Sequence, residues 1–239
     1  MLQLERQKNI LDYLHHHHSA TIRELARAVY TSEASVRRDL ARLEAGGHVE
    51  RIYGGVLLAG NKNNVLPLNV RETANAAGKE IVAQKAAQLV KDSDTIILDA
   101  SSTAYRICHH IRDRKHLRVI TNNLKVCQAL ADCEDIQVYC TGGTFVGHSS
   151  CFLGTNAENF IRGVNADILF FSSQAISATG IITDVGEADI SMRKVMLSHA
   201  KRRVFLCDSS KFGITRPFTL CCKDDVDDII CDVDLTFVQ

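Results

Sequence analysis

Several features that mark other protein classes are missing from this sequence. No apolar run approaches the ~20 residues that a membrane-spanning helix needs. The first ten residues, MLQLERQKNI, lack the apolar stretch of a secretory signal. Hydrophobic residues make up 46% of the chain and charged residues 23%, close to the globular average. We therefore expect a folded protein that stays in the cytoplasm, and 239 residues suffice for one large or two unequal domains.

The cysteines have neither metal-site nor disulfide spacing. All nine lie after residue 107, and no CxxC pair occurs. An odd number of cysteines in an unsecreted chain, several of them inside apolar runs, favours reduced thiols in the core. The one dense histidine cluster, residues 15–18, has no cysteine near it, although a zinc site needs its ligands to converge. We expect no metal and no organic cofactor.

The formal net charge is zero, but the charges are unevenly distributed. Residues 36–53 contain four arginines against three acidic residues, whereas residues 223–234 contain one lysine against six aspartates. Local basic surface identifies a nucleic-acid-binding protein better than total charge does. In the net charge, the aspartates of the C-terminal segment therefore cancel the excess of arginine near the N-terminus.

Helical periodicity starts close to the N-terminus. Apolar residues share one face between residues 10 and 14, and those between 22 and 29 follow the i, i+3, i+4, i+7 spacing. Thr21 and Glu24 form a capping-box pattern that starts the second helix. A third helix follows Thr31-Ser32 and runs to about Ala45, where two glycines favour its end. The pattern predicts helix, short turn, helix.

The exposed face of the third helix is small and basic. At about 100° per residue from the apolar Val36, Arg38 lies at about 200° and Ala34 at about 160°, with Arg37 and Arg42 beside them. Small side chains let a helix approach base edges in the major groove, and arginine binds phosphate or guanine. An ordinary solvated helix face would also carry such arginines, so this pattern alone leaves both interpretations open.

A small hairpin is predicted directly after the third helix. Residues 48–57 alternate like a strand, meet Gly54-Gly55, and then resume, which makes a winged helix-turn-helix. The segment SEASVRRDLARLEAGGHVERIYGGV resembles the signature of the DeoR family of bacterial sugar-catabolism regulators. The RRDL run, the LE pair and the R-x-x-GG wing occur together at family-like spacing.

The resemblance implies binding to double-stranded operator DNA, usually as a repressor and as a homodimer or homotetramer. It assigns the DNA contacts to the third helix, the two helix caps and the wing. The residues concerned are Thr21, Ser32, Ala34, Ser35, Arg37, Arg38, Arg42, Arg51, Tyr53 and Gly54.

The composition predicts two domains joined by a linker. We expect a winged helix-turn-helix domain at residues 1–58, a linker at 59–72 and an effector domain at 73–239. The linker segment AGNKNNVLPLNVRE holds four asparagines and one of the two prolines, with weak periodicity. A helix is predicted from Thr73 to Lys91.

Beyond residue 91 the chain repeats one pattern, in which a short apolar strand ends in a polar cluster. Such strands are predicted at residues 95–98, 118–120, 137–140, 168–171 and 204–207. Strands that alternate with helices predict an α/β fold, here a Rossmann-like, mostly parallel sheet with helices on both faces. Ligands of such sheets bind beyond the carboxyl ends of the strands, and every polar cluster falls there.

These clusters suit an anionic ligand with hydroxyl groups. The residues 101–103 offer hydroxyls and backbone amides at a helix N-terminus, and Lys211 adds a positive charge. Asp99 and Asn122 suit sugar hydroxyls. Any single Ser/Thr cluster could instead be a helix cap with nothing bound, but five clusters at one sheet edge favour a ligand.

The DeoR resemblance covers nearly the whole chain, through GKEIVAQKAA, LDASST, VITNN, TGG and DSSKFG. In the family these loops bind a phosphorylated sugar or a related metabolite. The effector-binding residues that the resemblance and the pattern together indicate are Asp99, Ser101, Ser102, Thr103, Asn122, Gly142, Gly143, Ser172, Asp189, Arg193 and Lys211.

Three positions depart from the family pattern. Ser101 replaces the usual glycine, which adds a side chain where close backbone approach is expected. No basic residue follows Gly143 in TGGTFVG. The helix EADISMRKVM carries Asp189 and Arg193 where the family has E-x-x-x-K. These departures bear on which metabolite fits.

The family's effector domain is similar to ribose-phosphate isomerases, so the alternative function is an isomerase-like enzyme with a DNA-binding appendage. Isomerisation needs a carboxylate or similar base facing the substrate carbon. The isomerases carry an acidic DGADE-like loop after a central strand, whereas the corresponding strand here ends FFSSQAIS. We therefore predict no catalytic residues. The expected function is a repressor of a carbohydrate catabolic operon, controlled by a phosphorylated sugar.

Overall fold

The computed structural model describes residues 2–17, 19–52, 55–58 and 68–237. The chain divides into two compact units, Met1–Ala74 and Asn75–Gln239. In the described part of the chain, no helix is both long enough and apolar enough to cross a membrane.

The first unit is the predicted winged helix-turn-helix. The hydroxyl of Thr21 accepts a hydrogen bond from the Glu24 N–H, while the Thr21 N–H donates to the Glu24 carboxylate at 2.8 Å, so the predicted capping box is present. The predicted wing residues Tyr53 and Gly54 lie outside the described residues. The elements of the unit are α1 Gln3–His17, β1 Ser19–Ala20, α2 Ile22–Ala28, α3 Glu33–Ala45, β2 Val49–Ile52, β3 Gly55–Leu58 and α4 Leu68–Thr73.

The three strands of this unit form an antiparallel sheet in the order β1-β3-β2, of which β1 was not predicted. Beside the sheet, buried Ile10 and Leu14 of α1, Leu25 of α2 and Val36 and Leu40 of α3 belong to one apolar cluster. They repeat at helical spacing, so the sequence pattern determines which face each helix buries.

The helix predicted from Thr73 to Lys91 is confirmed as α5, but it is shorter at both ends and spans Ala76–Ala87. Thr73 is instead the last residue of a preceding short helix, α4. Asn75 interrupts them because its backbone is left-handed, with φ 45° and ψ 46°. The short helix α4 falls within the predicted linker, and residues 59–67 of that linker lie outside the described residues.

A six-stranded parallel sheet forms the centre of the second unit. Its strand order is β14-β12-β9-β4-β5-β6, with every neighbouring pair parallel, and it contains all five predicted strands. After α5 the elements are β4 Thr95–Leu98, α6 Ser102–Ile107, β5 Leu117–Thr121, α7 Leu124–Ala129, β6 Ile136–Cys140, β7 Thr144–Val146, β8 Cys151–Leu153, α8 Thr155–Arg162, β9 Ala166–Phe171, β10 Ala175–Ile176, β11 Ile181–Asp184, α9 Glu187–Ser198, β12 Ala200–Cys207, β13 Phe218–Cys222 and β14 Asp228–Cys231.

Helices cover both faces of this sheet. Along β4, Ile96 and Leu98 belong to one apolar cluster with residues of α5, α6 and α7, whereas Ile97 belongs to a second cluster with residues of α8 and α9. Successive side chains of a strand point to opposite faces. The continuous apolar runs of the sequence therefore reflect strands that are buried on both sides.

Two small antiparallel sheets complete the unit. One pairs β7 with β8, and the other has the order β10-β11-β13. Residues 218–222 form β13, at the edge of the second of these sheets. Leu235 and Phe237 pack against the second apolar cluster without forming a strand, and Val238 lies outside the described residues.

All nine cysteines are free thiols. Burial raises the pKa of Cys108 and of Cys207 to about 12. Thiols with such a high pKa are poor nucleophiles, as expected for reduced core cysteines. Four of the nine cysteines are buried and four are partly buried, whereas Cys140 is exposed on the edge strand β6.

Candidate functional site

The helix α3 presents a polar, arginine-bearing surface. Its N-cap Ser32 accepts a hydrogen bond from the Ser35 N–H, and Val36, Leu40 and Leu43 are buried. Ser35 is half-buried. The exposed predicted residues on α3 and its cap are Ser32, Ala34, Arg37, Arg38 and Arg42. The predicted DNA-binding residues of α3 thus lie on one side of the helix, opposite its apolar stripe.

The arginines of this surface have only weak partners. An Arg37 Nη lies 3.1 Å from a Glu33 carboxylate oxygen, and both side chains are about half exposed. An Arg38 Nη donates to the Ser35 hydroxyl at 3.3 Å. Exposed pairs of this kind stabilise a protein by only about 0.2–1 kcal/mol. The two guanidinium groups can therefore exchange these partners for an external one at little cost.

Asp39 connects α3 to α1. Its carboxylate is buried, and one oxygen lies 2.5 Å from the Arg6 Nε. The hydrogen bond to Asp39 raises the pKa of Arg6 above its usual range. Asp39 falls on the apolar stripe of α3, three residues after Val36, so helical periodicity could have identified it as a buried acid.

The predicted polar clusters follow five strands of the central sheet at one edge. Asp99 follows β4, Asn122 follows β5 and Ser172 follows β9. All three are buried, as are the predicted residues 101–103. Gly142 and Gly143 follow β6, and Lys211 lies four residues beyond β12. Because the strands are parallel, their carboxyl ends lie along one edge, as the sequence predicted.

Arg193 of α9 holds three carboxylates together. Its Nε lies 2.9 Å from Asp99, one Nη lies 3.0 Å from Asp184, and the other lies 3.8 Å from Asp189. Burial lowers the pKa of Arg193, but the three carboxylates outweigh that effect and keep its pKa above the usual range. The guanidinium is therefore permanently charged, and its charge is already balanced by this chain's own acids.

Asp99 is fixed at several points. One carboxylate oxygen accepts from the Ser101 N–H at 3.0 Å, and the other accepts from the Ser172 N–H at 3.3 Å and from Arg193. Ser173, also at the end of β9, donates to the Asp184 carboxylate at 2.9 Å. The carboxylates at this sheet edge therefore have defined orientations, which suits recognition of hydroxyl groups.

The side chains beside this cluster are closely packed. The space between β4, β5 and α9, which Asp99, Asn122, Asp189 and Arg193 line, leaves no room for a water molecule. The buried Asn122 Oδ1 and Thr103 Oγ1 have no hydrogen-bond partner among the described residues. Buried polar atoms are rarely left unbonded, so these two oxygens are candidate positions for a contact with a ligand.

Besides Arg193, this region has a second positively charged side chain, Lys211, just beyond the end of β12. The Lys211 ammonium donates to the Ser172 hydroxyl at 2.7 Å and lies 3.7 Å from Asp208. Burial raises the pKa of Asp208, but Lys211 and hydrogen bonds from Ser210 and Asn75 more than offset this, so its pKa is below the usual range. Ser172 thereby connects the strand end of β9 to this lysine.

Two glycines and one serine determine the backbone of the neighbouring loops. Gly143 has φ 109°, and a Cβ there would lie 2.7 Å from the Leu153 carbonyl oxygen. Gly142 has φ 64°, and a Cβ added there would meet open space, with no contact within 4 Å. Ser101, in place of the family's glycine, caps α6, because its hydroxyl accepts from the Ala104 N–H at 3.1 Å. The Ser101 hydroxyl is thus already engaged in a hydrogen bond within the protein.

Sequence reasoning missed four residues of this region: Asn75, Ser173, Asp184 and Asp208. Asp208 stands in the DSSKFG motif, directly after a predicted strand, so its position was a usable signal. Asp184 ends β11, a strand that was not predicted, and Asn75 lay inside a helix that was predicted as continuous. Their roles depend on contacts between distant parts of the chain.

Solved structures match the chain to different extents. The delta subunit of eIF2B from Chaetomium thermophilum matches with a TM-score of 0.51 and 14% identity, over 86% of this chain and 66% of that one. A ribose 5-phosphate isomerase A from Methanocaldococcus jannaschii matches with a TM-score of 0.43 and 21% identity, over 58% of this chain and 55% of that one. Likenesses at such low identity concern the fold alone.

Curated relatives match over almost the whole chain. The HTH-type transcriptional regulator GolR of Listeria innocua is 31% identical over 97% of this chain and 91% of its own length. A putative aga operon transcriptional repressor of Escherichia coli O157:H7 is 28% identical over 95% and 86%. The L-fucose operon activator of Escherichia coli K12 is 27% identical over 97% and 96%.

Family models match both units. The DeoR-like helix-turn-helix domain matches residues 6–62, and the DeoR C terminal sensor domain matches residues 74–233. The two matches include α3 with its arginines and all five polar strand ends. The chain belongs to the DeoR family of transcriptional regulators.

Proposed function

We propose that this regulator represses a carbohydrate catabolic operon and that a phosphorylated sugar or a related metabolite controls it. The observation that carries the proposal is the polar site at the strand ends, with its fixed carboxylates and its unbonded buried oxygens, in a chain that also carries an exposed arginine-bearing helix. A regulator that acts on DNA in this way would work in the cytoplasm.

On the DNA side, α3 would enter the major groove. The small Ala34 and Ser35 allow close approach, and Arg37, Arg38 and Arg42 would contact bases and phosphates. The helix caps Thr21 and Ser32, and the wing residues Arg51, Tyr53 and Gly54, would contact the backbone. Two or four copies with closed symmetry would read repeated or inverted half-sites.

On the effector side, the two ends of a sugar phosphate would bind different groups. Its hydroxyls would face Asp99, Asn122 and the Asp189–Arg193 pair. Its phosphate would face the backbone amides of residues 102 and 103 and the Lys211 ammonium, because amides and an ammonium group are good phosphate donors; the Ser101 amide already donates to Asp99. Ser172 and the turn at Gly142-Gly143 would line the rest of the effector-binding site. Arg193 would act by orienting carboxylates, since its own charge is already balanced.

The same contacts argue against isomerase chemistry. A general base must reach the proton that it removes, yet Asp99 and Asp184 are both bound to Arg193. The strand β9 is followed by Ser172 and Ser173 and not by an acid. We propose that the site binds its ligand without transforming it.

A ligand screen on the purified full-length protein tests the effector. The panel contains phosphorylated sugars, phosphorylated sugar alcohols and their unphosphorylated counterparts, and the readout is the shift in melting temperature. At 100 times its dissociation constant a specific ligand stabilises the fold by about 2.7 kcal/mol. We expect a hit among the phosphorylated compounds and its loss in Lys211→Ala. A response to unphosphorylated sugars alone would contradict the assignment of the phosphate site.

The DNA half is tested separately. An operator is obtained by selection from a random duplex pool with the wild-type protein, and its affinity is measured with and without the ligand that the screen identifies. We expect the ligand to lower the affinity for the operator. If the ligand instead raises the affinity for the operator, the proposal that it induces the operon by releasing the protein from DNA is wrong. That result would favour an activator.

A further inference from the structure

The end of β12 carries a hydrogen-bond network that the proposed binding role does not require. Asp208 is fully buried, and one of its carboxylate oxygens accepts hydrogen bonds from the side chains of Asn75, at 3.0 Å, and Ser210. The other oxygen has no hydrogen-bond partner among the described residues and lies 3.7 Å from the Lys211 ammonium. Asp208 therefore lies directly between Lys211 and Asn75.

Asp208 depends on these neighbours because it cannot reach water. A buried carboxylate that loses its countercharge is strongly destabilised. Lys211 also donates to Ser172 at 2.7 Å, so this ammonium is shared between Asp208 and the wall of the proposed effector site. Any anion that draws Lys211 towards itself therefore changes the electrostatic environment of Asp208, whose next direct contact is the Asn75 amide.

Asn75 occupies a special place in the chain. It is the first residue of the second unit, directly after the segment that contains α4. Its left-handed backbone separates α4 from α5, and its side chain makes no cap to α5. A Cβ added at Gly78 would lie 2.7 Å from the Asn75 Nδ2, so the amide is packed tightly against the first turn of α5. A left-handed residue other than glycine is costly, and the surrounding contacts must hold it.

We infer that Asn75 is a positioning residue that couples occupancy of the effector site to the junction of the two units. Lys211, Asp208 and Asn75 form a chain of direct contacts from the wall of the site to the residue where the second unit begins. A shift of Lys211 changes the hydrogen bond that holds the backbone of Asn75, and with it the start of α5. The inference rests on the proposed function, because it assumes that an anionic effector binds beside Lys211.

Hydrogen exchange on the full-length chain tests this coupling without a ligand. The perturbation is Lys211→Met, which removes the ammonium, and the readout is amide exchange in peptides that cover residues 68–79. In the wild-type background we expect exchange there to change by about 5-fold or more relative to peptides of the central sheet, which report any general loss of stability from the unpaired Asp208. In the Asn75→Gly background, which keeps the left-handed backbone accessible but removes the amide, we expect Lys211→Met to change exchange in these peptides no more than in the central sheet.

A matched control separates the amide from the backbone conformation. Ser93 is another left-handed residue, with φ 67°, and it lies on an exposed turn before β4. Lys211→Met in the Ser93→Gly background should change exchange as it does in wild type. Circular dichroism confirms that each variant is folded. Equal changes with and without the Asn75 amide, or no change in wild type, would overturn the inference.

A second arm uses the phosphorylated compound that the thermal screen identifies, with the selected operator. Asn75→Gly should keep the thermal shift with that compound and the ligand-free operator affinity, each within about twofold of wild type, but lose the effect of the compound on operator affinity. If Asn75→Gly responds like wild type, the coupling role is wrong while the proposed function stands. If no compound stabilises wild type, the proposed function fails, and the exchange experiment still decides the coupling.

Discussion

Removing the charge of Arg193 should destabilise the second unit severely. Arg193 is 5% exposed, and two of its partners, Asp99 and Asp184, are 1% and 3% exposed. The variant Arg193→Met keeps much of the side-chain volume but leaves buried carboxylates without their cation. Breaking a buried ion pair from one side costs about 3–5 kcal/mol. At about 2–4 °C per kcal/mol for a domain of this size, the melting temperature should fall by about 6–20 °C.

Urea and thermal unfolding followed by far-ultraviolet circular dichroism measure this effect, since the chain has no tryptophan for fluorescence. The matched control is Arg162→Met, because Arg162 pairs with Glu158 at 3.1 Å and its own side chain is about half exposed, so the pair should contribute less than about 1 kcal/mol. Adding Asp184→Asn to Arg193→Met should recover part of the loss by removing one of the unpaired charges. An Arg193→Met protein within about 1 kcal/mol of wild type would refute this account of the cluster.

Three further changes are expected to have distinct effects. Arg38→Ala should weaken operator binding by about 1–3 kcal/mol, measured by gel shift, and leave the thermal shift with the effector unchanged; unaltered operator affinity would contradict the groove assignment. Gly143→Ala should lower the melting temperature more than Gly142→Ala, because only the Cβ at position 143 would lie within 3 Å of backbone and side-chain atoms. Such overpacking costs about 1–3 kcal/mol beyond the left-handed strain that both substitutions share. Equal melting temperatures of the two variants would exclude this clash. Arg6→Met should lower the melting temperature of the first unit, because Asp39 stays buried without its partner; an unchanged melting temperature would argue that Asp39 reaches water.

The local features of the fold were predictable because short stretches of sequence encode them. The capping box at Thr21, the apolar stripe of α3 and the alternation in the wing depend on residues within a few positions of one another. The five central strands were predictable because strands buried on both faces are continuously apolar. The start of α5 was predicted three residues too early, at Thr73, because short-range patterns do not show that the left-handed Asn75 precedes the helix and contacts Asp208, 133 positions away.

For the candidate site, too, one part was predictable from the sequence and another part was not. Its position followed from the sequence, because polar residues after parallel strands must meet at one sheet edge, and Asp99, Asn122 and Ser172 do so. The sequence by itself thus determined the fold class, the exposed arginines of α3 and the sheet edge at which the polar residues of the candidate site meet. Only the tertiary structure decided that Arg193 is balanced by three acids and that Asp208 links Lys211 to Asn75. Those contacts join elements far apart in the chain, and their partners depend on how the elements pack.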